Sequence, residues 1–346
     1  MWNLFDTSIE EGIKLHMTIS DKVEKVVCDY CGSEKAVPVA KQKDLFHHTT
    51  DEFFTIVQCS SCALQYTNPR PTQTSIGNYY SSSYSYHSTP SYLRTLAYRI
   101  ARIIANNDIL AFFAGLIPSI GNRLVPFVKP SIIDPVRNYY SAGGIGAMLD
   151  IGCGSGVSAN FWGENGSLLS YKKNMNVAGV EISNTARKSL EDKGVEIWAR
   201  IDDVPKERLF GLIRMNWSLE HVHYPSRYFE FISDHLEIGG QAVIAVPNYE
   251  GLLYKLSPNC VELPVHLYHF TPSDIKKYAK KYGLKVCKLN TFSYPGMFLG
   301  AVQAGMLPES FVTNYGLSQA RNFQSTLARF DKAGWGNDLI AVLERE

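Results

Sequence analysis

Two cysteine pairs and one glycine-rich turn hold the residue types and spacings in this chain that could do chemistry. Cys28 and Cys31 form one Cys-x-x-Cys pair in "CDYCGSEK", and Cys59 and Cys62 form another in "QCSSCALQYTNP". Two such pairs on tight turns bring four thiolates to one tetrahedral zinc. The 27 residues between the pairs exceed the common spacing of roughly 15–20. That lengthens the middle loop without removing a ligand, and four unrelated buried cysteines are the weaker reading. Four cysteines leave no open coordination position, so the expected ion is structural. His47 and His48, inside the excursion, read as loop histidines.

The turn is "LDIGCGSG", Leu149 to Gly156. An apolar run closing on Asp150 and followed by Gly152, Gly154 and Gly156 predicts a strand turning tightly into a helix around a nucleotide. The third glycine of a dinucleotide fingerprint would fall at Val157, so that pattern fails, and no Gly-Lys-Ser/Thr follows to make a phosphate loop. What remains is a turn that lets a ligand lie against bare backbone, with Asp150 placed to attract a positively charged group. Glu181 ends the next apolar segment, "GVEIS", 25 residues after Gly156. An acid at that place accepts hydrogen bonds from ribose hydroxyls. A ribose, an adenine and an amino acid tail together describe S-adenosylmethionine.

These residues, in order with "CALQYTNPRP", "NWSLEHV", "GGQAVIAVPN", "PVHLYHFTP" and "GWGNDLIAVLER", resemble a class I S-adenosylmethionine-dependent methyltransferase. The nearest type is the bacterial one with an N-terminal zinc-binding domain, found in sugar and polysaccharide biosynthesis. The resemblance implies an α/β, Rossmann-like sheet of seven strands, mostly parallel with one antiparallel strand, and cofactor across the strand ends. It places Asp150, Gly152 and Gly154 at the methionine end, Glu181 at the ribose, and Ile201 or Asp202 at the adenine. Cys153, Gly156 and Ile182 join that set, and Asn216 and Ser218 border methyl transfer. One departure stands out: Gly211 occupies a fourth-strand position where similar proteins carry Asp, which predicts a distorted strand. Cys153 is expected to be a small buried residue rather than a nucleophile.

Methyl transfer is an in-line displacement, so the protein must align the acceptor and, for a hydroxyl, take its proton. His221 with its neighbour Glu220, and His266 and His269 in "HLYHFTP", fall on loops expected at the strand ends. Histidine titrates near working pH, which makes these the candidate base set. A bracing role competes with it, evenly for His266 and more strongly for His269. The resemblance implies a sugar acceptor, nucleotide-linked, lipid-linked or polymeric. Two alternatives stand beside it: an RNA methyltransferase reading RNA with its zinc domain, and a non-catalytic scaffold of the same fold. Lys35, Lys41 and Lys43 are interspersed with Glu34, Asp44, Asp51 and Glu52, so no basic patch for nucleic acid develops.

The elements that must position these residues follow from periodicity. "AMLDIG", "NVAGVEI", "LFGLIRMN" and "QAVIAVPN" read as successive strands alternating with helices, the pattern of a parallel sheet. "PSRYFEFISDHLEIGG" predicts a helix opening at proline and stopping at glycines. Thr271 and Pro272 open another that Gly283 stops. "LKVCKLNTF" and "NDLIAVLER" are the closing strands, around a helical insertion at 303–330. Upstream, 1–22 is a tail, 23–67 the zinc domain, 68–91 a Tyr/Ser/Pro-rich linker, 92–143 a helical connector, and 144–346 the methyltransferase domain.

Within the connector, "YLRTLAYRIARIIANN" is amphipathic. Packing on the next domain is its main reading, and contact of residues 92–128 with a membrane surface its alternative. The longest uncharged apolar stretch, Ile109 to Asn122, has 14 residues, short of the about 20 a spanning helix needs. The 346 residues carry a formal net charge of +1, which excludes chain-wide attraction to nucleic acid. An N-terminal segment without a signal-peptide pattern, and cysteines spaced for metal, predict a cytoplasmic protein.

Overall fold

The computed structural model describes residues 17–18, 22–80, 91–130, 135–156, 168–308 and 317–345. Most of the N-terminal tail, residues 81–90 of the linker, residues 131–134 of the connector, Val157 and residues 309–316 of the insertion lie outside the described residues.

The chain begins with short strands β1 (Met17–Thr18) and β2 (Val23–Lys25), then β3 (Ala36–Lys43), β4 (Phe53–Cys59), β5 (Gln65–Thr67) and β6 (Arg70–Pro71). Helices α1 (Tyr92–Asn106), α2 (Asp108–Gly115), α3 (Pro118–Leu124) and α4 (Pro135–Ser141) follow. The α/β part then runs β7 (Met148–Ile151), α5 (Leu168–Tyr171), β8 (Val177–Val180), α6 (Asn184–Glu191), β9 (Glu196–Trp198), β10 (Phe210–Asn216), α7 (Pro225–His235) and β11 (Leu236–Pro247). It closes with α8 (Leu252–Leu256), β12 (Tyr268–His269), α9 (Pro272–Lys281), β13 (Leu284–Phe292), α10 (Pro295–Gln303), α11 (Leu317–Lys332) and β14 (Asp338–Arg345).

The large sheet has seven strands in the order β13-β14-β11-β10-β7-β8-β9. β7, β8, β9, β10 and β11 are mutually parallel, and β14 runs antiparallel to both its neighbours. All four residues of β7 and of β8 are buried, as expected of central parallel strands covered by helices on both faces. The expected mostly parallel sheet with one reversed strand is therefore the observed one.

Gly211 sits at a register shift in the β10–β11 pairing, between Phe210 and Leu212. A Cβ there would overlap the Ile145 carbonyl, so the residue is glycine because the chain entering β7 crosses it at backbone distance. Two boundaries differ from expectation. α7 stops at His235 instead of at the glycines, because Leu236 already pairs with Phe210 as the start of the long β11. The helical insertion is α10 and α11, beginning at Pro295, where proline takes the first helical turn.

The four-cysteine region does not fold on itself alone. Its sheet, β12-β5-β4-β3, takes its outer strand from the C-terminal half of the chain, where Tyr268 and His269 pair with Tyr66 and Gln65. Just after β5, the Asn68 side chain exchanges hydrogen bonds of 3.1 and 3.0 Å with the Val26 backbone. Asp29, inside the first cysteine pair, accepts from the Ser226 amide, the Ser226 hydroxyl and the Tyr278 hydroxyl at 2.7–2.9 Å. Lys277 Nζ donates to the Cys62 carbonyl at 2.6 Å. Val26, Cys28, Val57, Cys59, Leu64 and Tyr66 share one apolar core with Leu149, Ile151, Phe229 and Tyr278 of the large sheet and its helices.

The described half of the expected linker is likewise built in. Arg70 is buried, its Nε 2.9 Å from Glu24 and its Nη1 donating to the His223 carbonyl and the Tyr268 hydroxyl. Burial of this charge is tolerated because the guanidinium meets a carboxylate and two further acceptors.

Candidate active site

A cavity of about 810 Å³ opens at the C-terminal ends of β7, β8, β10 and β11, where open α/β sheets bind ligands. Every residue expected to hold the cofactor lines it: Asp150, Gly152, Cys153, Gly154, Gly156, Glu181, Ile182, Ile201, Asp202, Asn216 and Ser218. His221, His266 and Glu220 line it too.

The glycine turn has the backbone its sequence requires. Gly152, Gly154 and Gly156 have φ of 78°, 55° and 71°, in the left-handed region that side chains disfavour. Gly152 also has a close neighbour: a Cβ there would lie 2.6 Å from the Ser218 Cβ. The two loops are tied by the Ser218 hydroxyl, which donates to the Ile151 carbonyl at 2.9 Å. Glu181 is buried, and its two carboxylate oxygens accept from the Gly154 amide at 2.8 Å and the Ser183 amide at 2.7 Å. A carboxylate has about four acceptor sites, so these two amides orient the acid and leave it able to receive ribose hydroxyls. Glycine backbone, fixed acid and exposed Ile182 fit a nucleoside with an amino acid tail.

Two acids are already paired. The cation beside Asp150 is the protein's own Arg214, in a buried fork of 3.0 and 2.5 Å, so this carboxylate locks β7 to β10 instead of waiting for a ligand's amine. Asp202 accepts from Arg227 at 2.6 Å. Cys153 is half-buried where buried was expected; it packs against Gly179, and desolvation pushes its thiol well up.

The far end of the cavity is a cluster of histidines and acids. The rings of His221 and His266 meet edge to face with centroids 4.7 Å apart. His221 Nδ1 lies 3.0 Å from the Val265 carbonyl and 3.2 Å from the Tyr80 hydroxyl. A carbonyl can only accept, so Nδ1 carries the proton and Nε2 keeps the lone pair. His266 Nε2 is 3.4 Å from Glu262, and its Nδ1 is 3.2 Å from the Tyr249 hydroxyl. Glu262 is bound on its other oxygen by His47 at 2.7 Å.

Burial holds His221 below its ordinary value and takes His266 down to about 3. Burial works the other way on Glu262, but the His47 hydrogen bond and the neighbouring imidazoles outweigh it and bring it to about 2. The Glu262 hydrogen bond correspondingly raises His47. At neutral pH the cluster is thus a carboxylate facing neutral His266 and His221. Glu220 is buried, desolvation pushes it well above the usual carboxylate range, and its Oε1 lies 3.9 Å from His221 Nε2. Donor atoms of Glu220, His221 and His266 lie within 4.8 Å of one another.

His269 is a correction. It does not line the cavity; it is buried on β12, with Nε2 3.1 Å from the Thr67 hydroxyl and its ring against Tyr249. Pairing of β12 with β5 turns it away from the chemistry. Glu262, Tyr80, His47 and Tyr249 join the cluster without any local motif that marks them; Tyr80 lies in the expected linker and His47 in the expected loop.

The four sulfurs come together as expected. Cys28 and Cys62 Sγ are 3.4 Å apart, Cys31 and Cys59 Sγ 3.5 Å, and all four lie within 4.8 Å. Sulfurs about 2.3 Å from a tetrahedral zinc stand at similar separations. The two turns match: Gly32 and Ala63, each following the second cysteine, have φ of 72° and 66° and donate to the carbonyls of Cys28 and Cys59. This cluster fits a small zinc-ribbon-like module.

The chain matches the model of a methyltransferase domain over residues 109–289. No curated protein matches it. Among solved structures it is similar to a putative sarcosine dimethylglycine methyltransferase from Galdieria sulphuraria, at 14% identity over 61% of this chain and 82% of that one, TM-score 0.41. Another is a SAM-dependent methyltransferase from Archaeoglobus fulgidus, at 19% identity over 61% and 91%, TM-score 0.41. A third, a possible histamine N-methyltransferase from Thermotoga maritima, covers 72% and 99% at 15% identity, TM-score 0.39.

Proposed function

We propose, from the premise that this chain belongs to the methyltransferase-domain family and is S-adenosylmethionine-dependent, that its acceptor is a sugar, nucleotide-linked, lipid-linked or polymeric. The observation that carries the reading is the histidine–acid cluster at the far end of the cavity, with tyrosines Tyr80, Tyr254 and Tyr294 also lining it. Aromatic faces beside convergent polar groups suit a polyhydroxylated ring. The resemblance to enzymes of sugar biosynthesis supports the same class.

S-adenosylmethionine supplies an electrophilic methyl group when bound. Gly152, Gly154, Gly156 and Glu181 would hold its amino acid and ribose parts, and Ile182, Ile201 and Asp202 its adenine. His221 takes the acceptor proton on Nε2, because Val265 fixes its tautomer. Glu262 faces His266 and keeps that imidazole's Nε2 protonated, which makes His266 a positioning residue. General-base help of this kind is worth about 10²–10⁴-fold. Cys28, Cys31, Cys59 and Cys62 would hold one structural zinc, consistent with a protein that works in a reducing cytoplasm.

The test is a screen of nucleotide sugars and lipid-linked glycans for methyl uptake, read by mass. Uptake into a sugar is the expected result. Uptake into transfer RNA or simple amines, with none into sugars, overturns the acceptor class while leaving the family intact.

A further inference from the structure

The helices α1, α2 and α3 carry many of their apolar residues on the wrong side for a buried connector. α1 buries Arg102 and Ala105 against the rest of the protein, and Tyr98 packs on Phe127. Leu93, Leu96, Ile100 and Ile103 recur at helical spacing on the opposite side and are 74, 37, 49 and 62% exposed. α2 continues the surface: Ile109, Phe112, Phe113 and Leu116 are each more than 60% exposed. Apolar patches of this extent mark an interaction site.

The charge around the patch selects the partner. Arg94, Arg99, Arg123 and Lys129 are exposed, and the one acid between residues 91 and 130, Asp108, is ion-paired with Arg321. Apolar side chains rimmed by cations, in a segment of such one-sided charge, are the composition of a helix that lies in a lipid interface and is drawn to anionic headgroups. No helix among the described residues is long and apolar enough to cross a membrane, so the patch would lie on the bilayer. It is also close to the cavity. Val125–Phe127, which follow α3, pack on α10, and Gly296, Met297, Gly300 and Ala301 of α10 line the cavity wall.

We infer that α1–α3 bind peripherally to an anionic lipid bilayer, which brings the cavity to a membrane-borne acceptor. The acceptor clause rests on the proposed function; lipid binding does not, and it is tested without any acceptor. Full-length protein is floated with vesicles of phosphatidylcholine alone or with about one-third phosphatidylglycerol. The expected result is at least about tenfold stronger partitioning onto the anionic vesicles. The combined Phe112→Ser, Phe113→Ser and Leu116→Ser variant should lose binding to both by at least about tenfold, with calorimetric affinity for S-adenosylmethionine unchanged as the check on folding. The Arg94→Glu, Arg99→Glu pair should lose only the preference for anionic vesicles. Protein that stays with neither vesicle overturns the inference. So does a patch that instead holds two copies together, seen as a dimer by sedimentation that the serine variant converts to monomer while vesicle binding is absent.

Discussion

The two ends of the cavity are built in different ways. The donor end is made of short consecutive stretches, 150–156, 181–182, 201–202 and 216–218, each at or just beyond the tip of one strand. The acceptor end gathers Tyr80, His221 and the Glu262–His266 pair from three segments far apart in sequence, with His47 behind them. The first is fixed by backbone: positive φ and amides pointing at one acid. The second is fixed by packing between the sheet and the four-cysteine layer. An end made of backbone survives changes elsewhere, whereas an end made of docked loops depends on what holds them.

The largest effect should therefore come from a remote site. Replacing Cys59 and Cys62 by Ser, or treating the protein with a chelator, would remove the proposed zinc, a kind of site worth about 10–16 kcal/mol in model zinc peptides. We expect turnover to vanish while S-adenosylmethionine binding, followed by calorimetry, declines less. Equal loss of both would break the contrast between the two ends.

Next in size, His221→Ala should lower kcat by about 10²–10⁴-fold with cofactor affinity unmoved, and His266→Ala should cost less. A larger loss for His266 would exchange their roles. Glu181→Ala then probes the donor end alone: affinity for S-adenosylmethionine should fall about 10–100-fold, the worth of one charged hydrogen bond.

The smallest effect is on stability against pH. A histidine held neutral by burial is protonated in the unfolded chain from its ordinary value of about 6.5 downward. The unfolded state then binds more protons, so stability falls as pH falls through that window. For His266, depressed to about 3, the loss at pH 5 is about 2 kcal/mol. His47, raised by Glu262, works in the other direction: its contribution is full below about 6.5 and fades as pH rises through its raised value. Asp338 and Asp331, raised by burial to about 7 and about 6, bind protons in the folded state over the same window and oppose the His266 loss. The check is therefore the difference between proteins: from pH 7 to pH 5 the melting temperature of His266→Gln should fall less, or rise more, than that of the wild type. An unchanged slope would mean that burial of His266 does not set the acid limit of the acceptor end.

This contrast also explains what can be read from the chain. The glycine turn, Glu181 and the cysteine pairs are local signals, and the order of apolar segments gives six of the seven strands. The short, partly exposed β9 (Glu196–Trp198) carries no apolar run to mark it, and the count of seven rests on the resemblance. Gly211 announces a distortion, although only the crossing of Ile145 gives its reason. Asp150 reads as available for a ligand because its partner, Arg214, is 64 residues away. Glu262 and Tyr80 carry no motif, and His269 shares one with His266 yet falls on the other side of a strand pairing that nothing nearby in sequence encodes.

The outer strand β12 has a consequence for how the protein is made. Thr67 donates its hydroxyl to the carbonyl of His266, 199 residues later, and β5 has its β12 partner only once that segment exists. At roughly 5–20 residues per second, the ribosome takes about 10–40 seconds to deliver it. Throughout that interval the cysteine layer carries an open strand edge of the kind that recruits other chains. Early zinc capture would narrow that exposure, and a nascent chain deprived of metal should aggregate before its methyltransferase domain is complete.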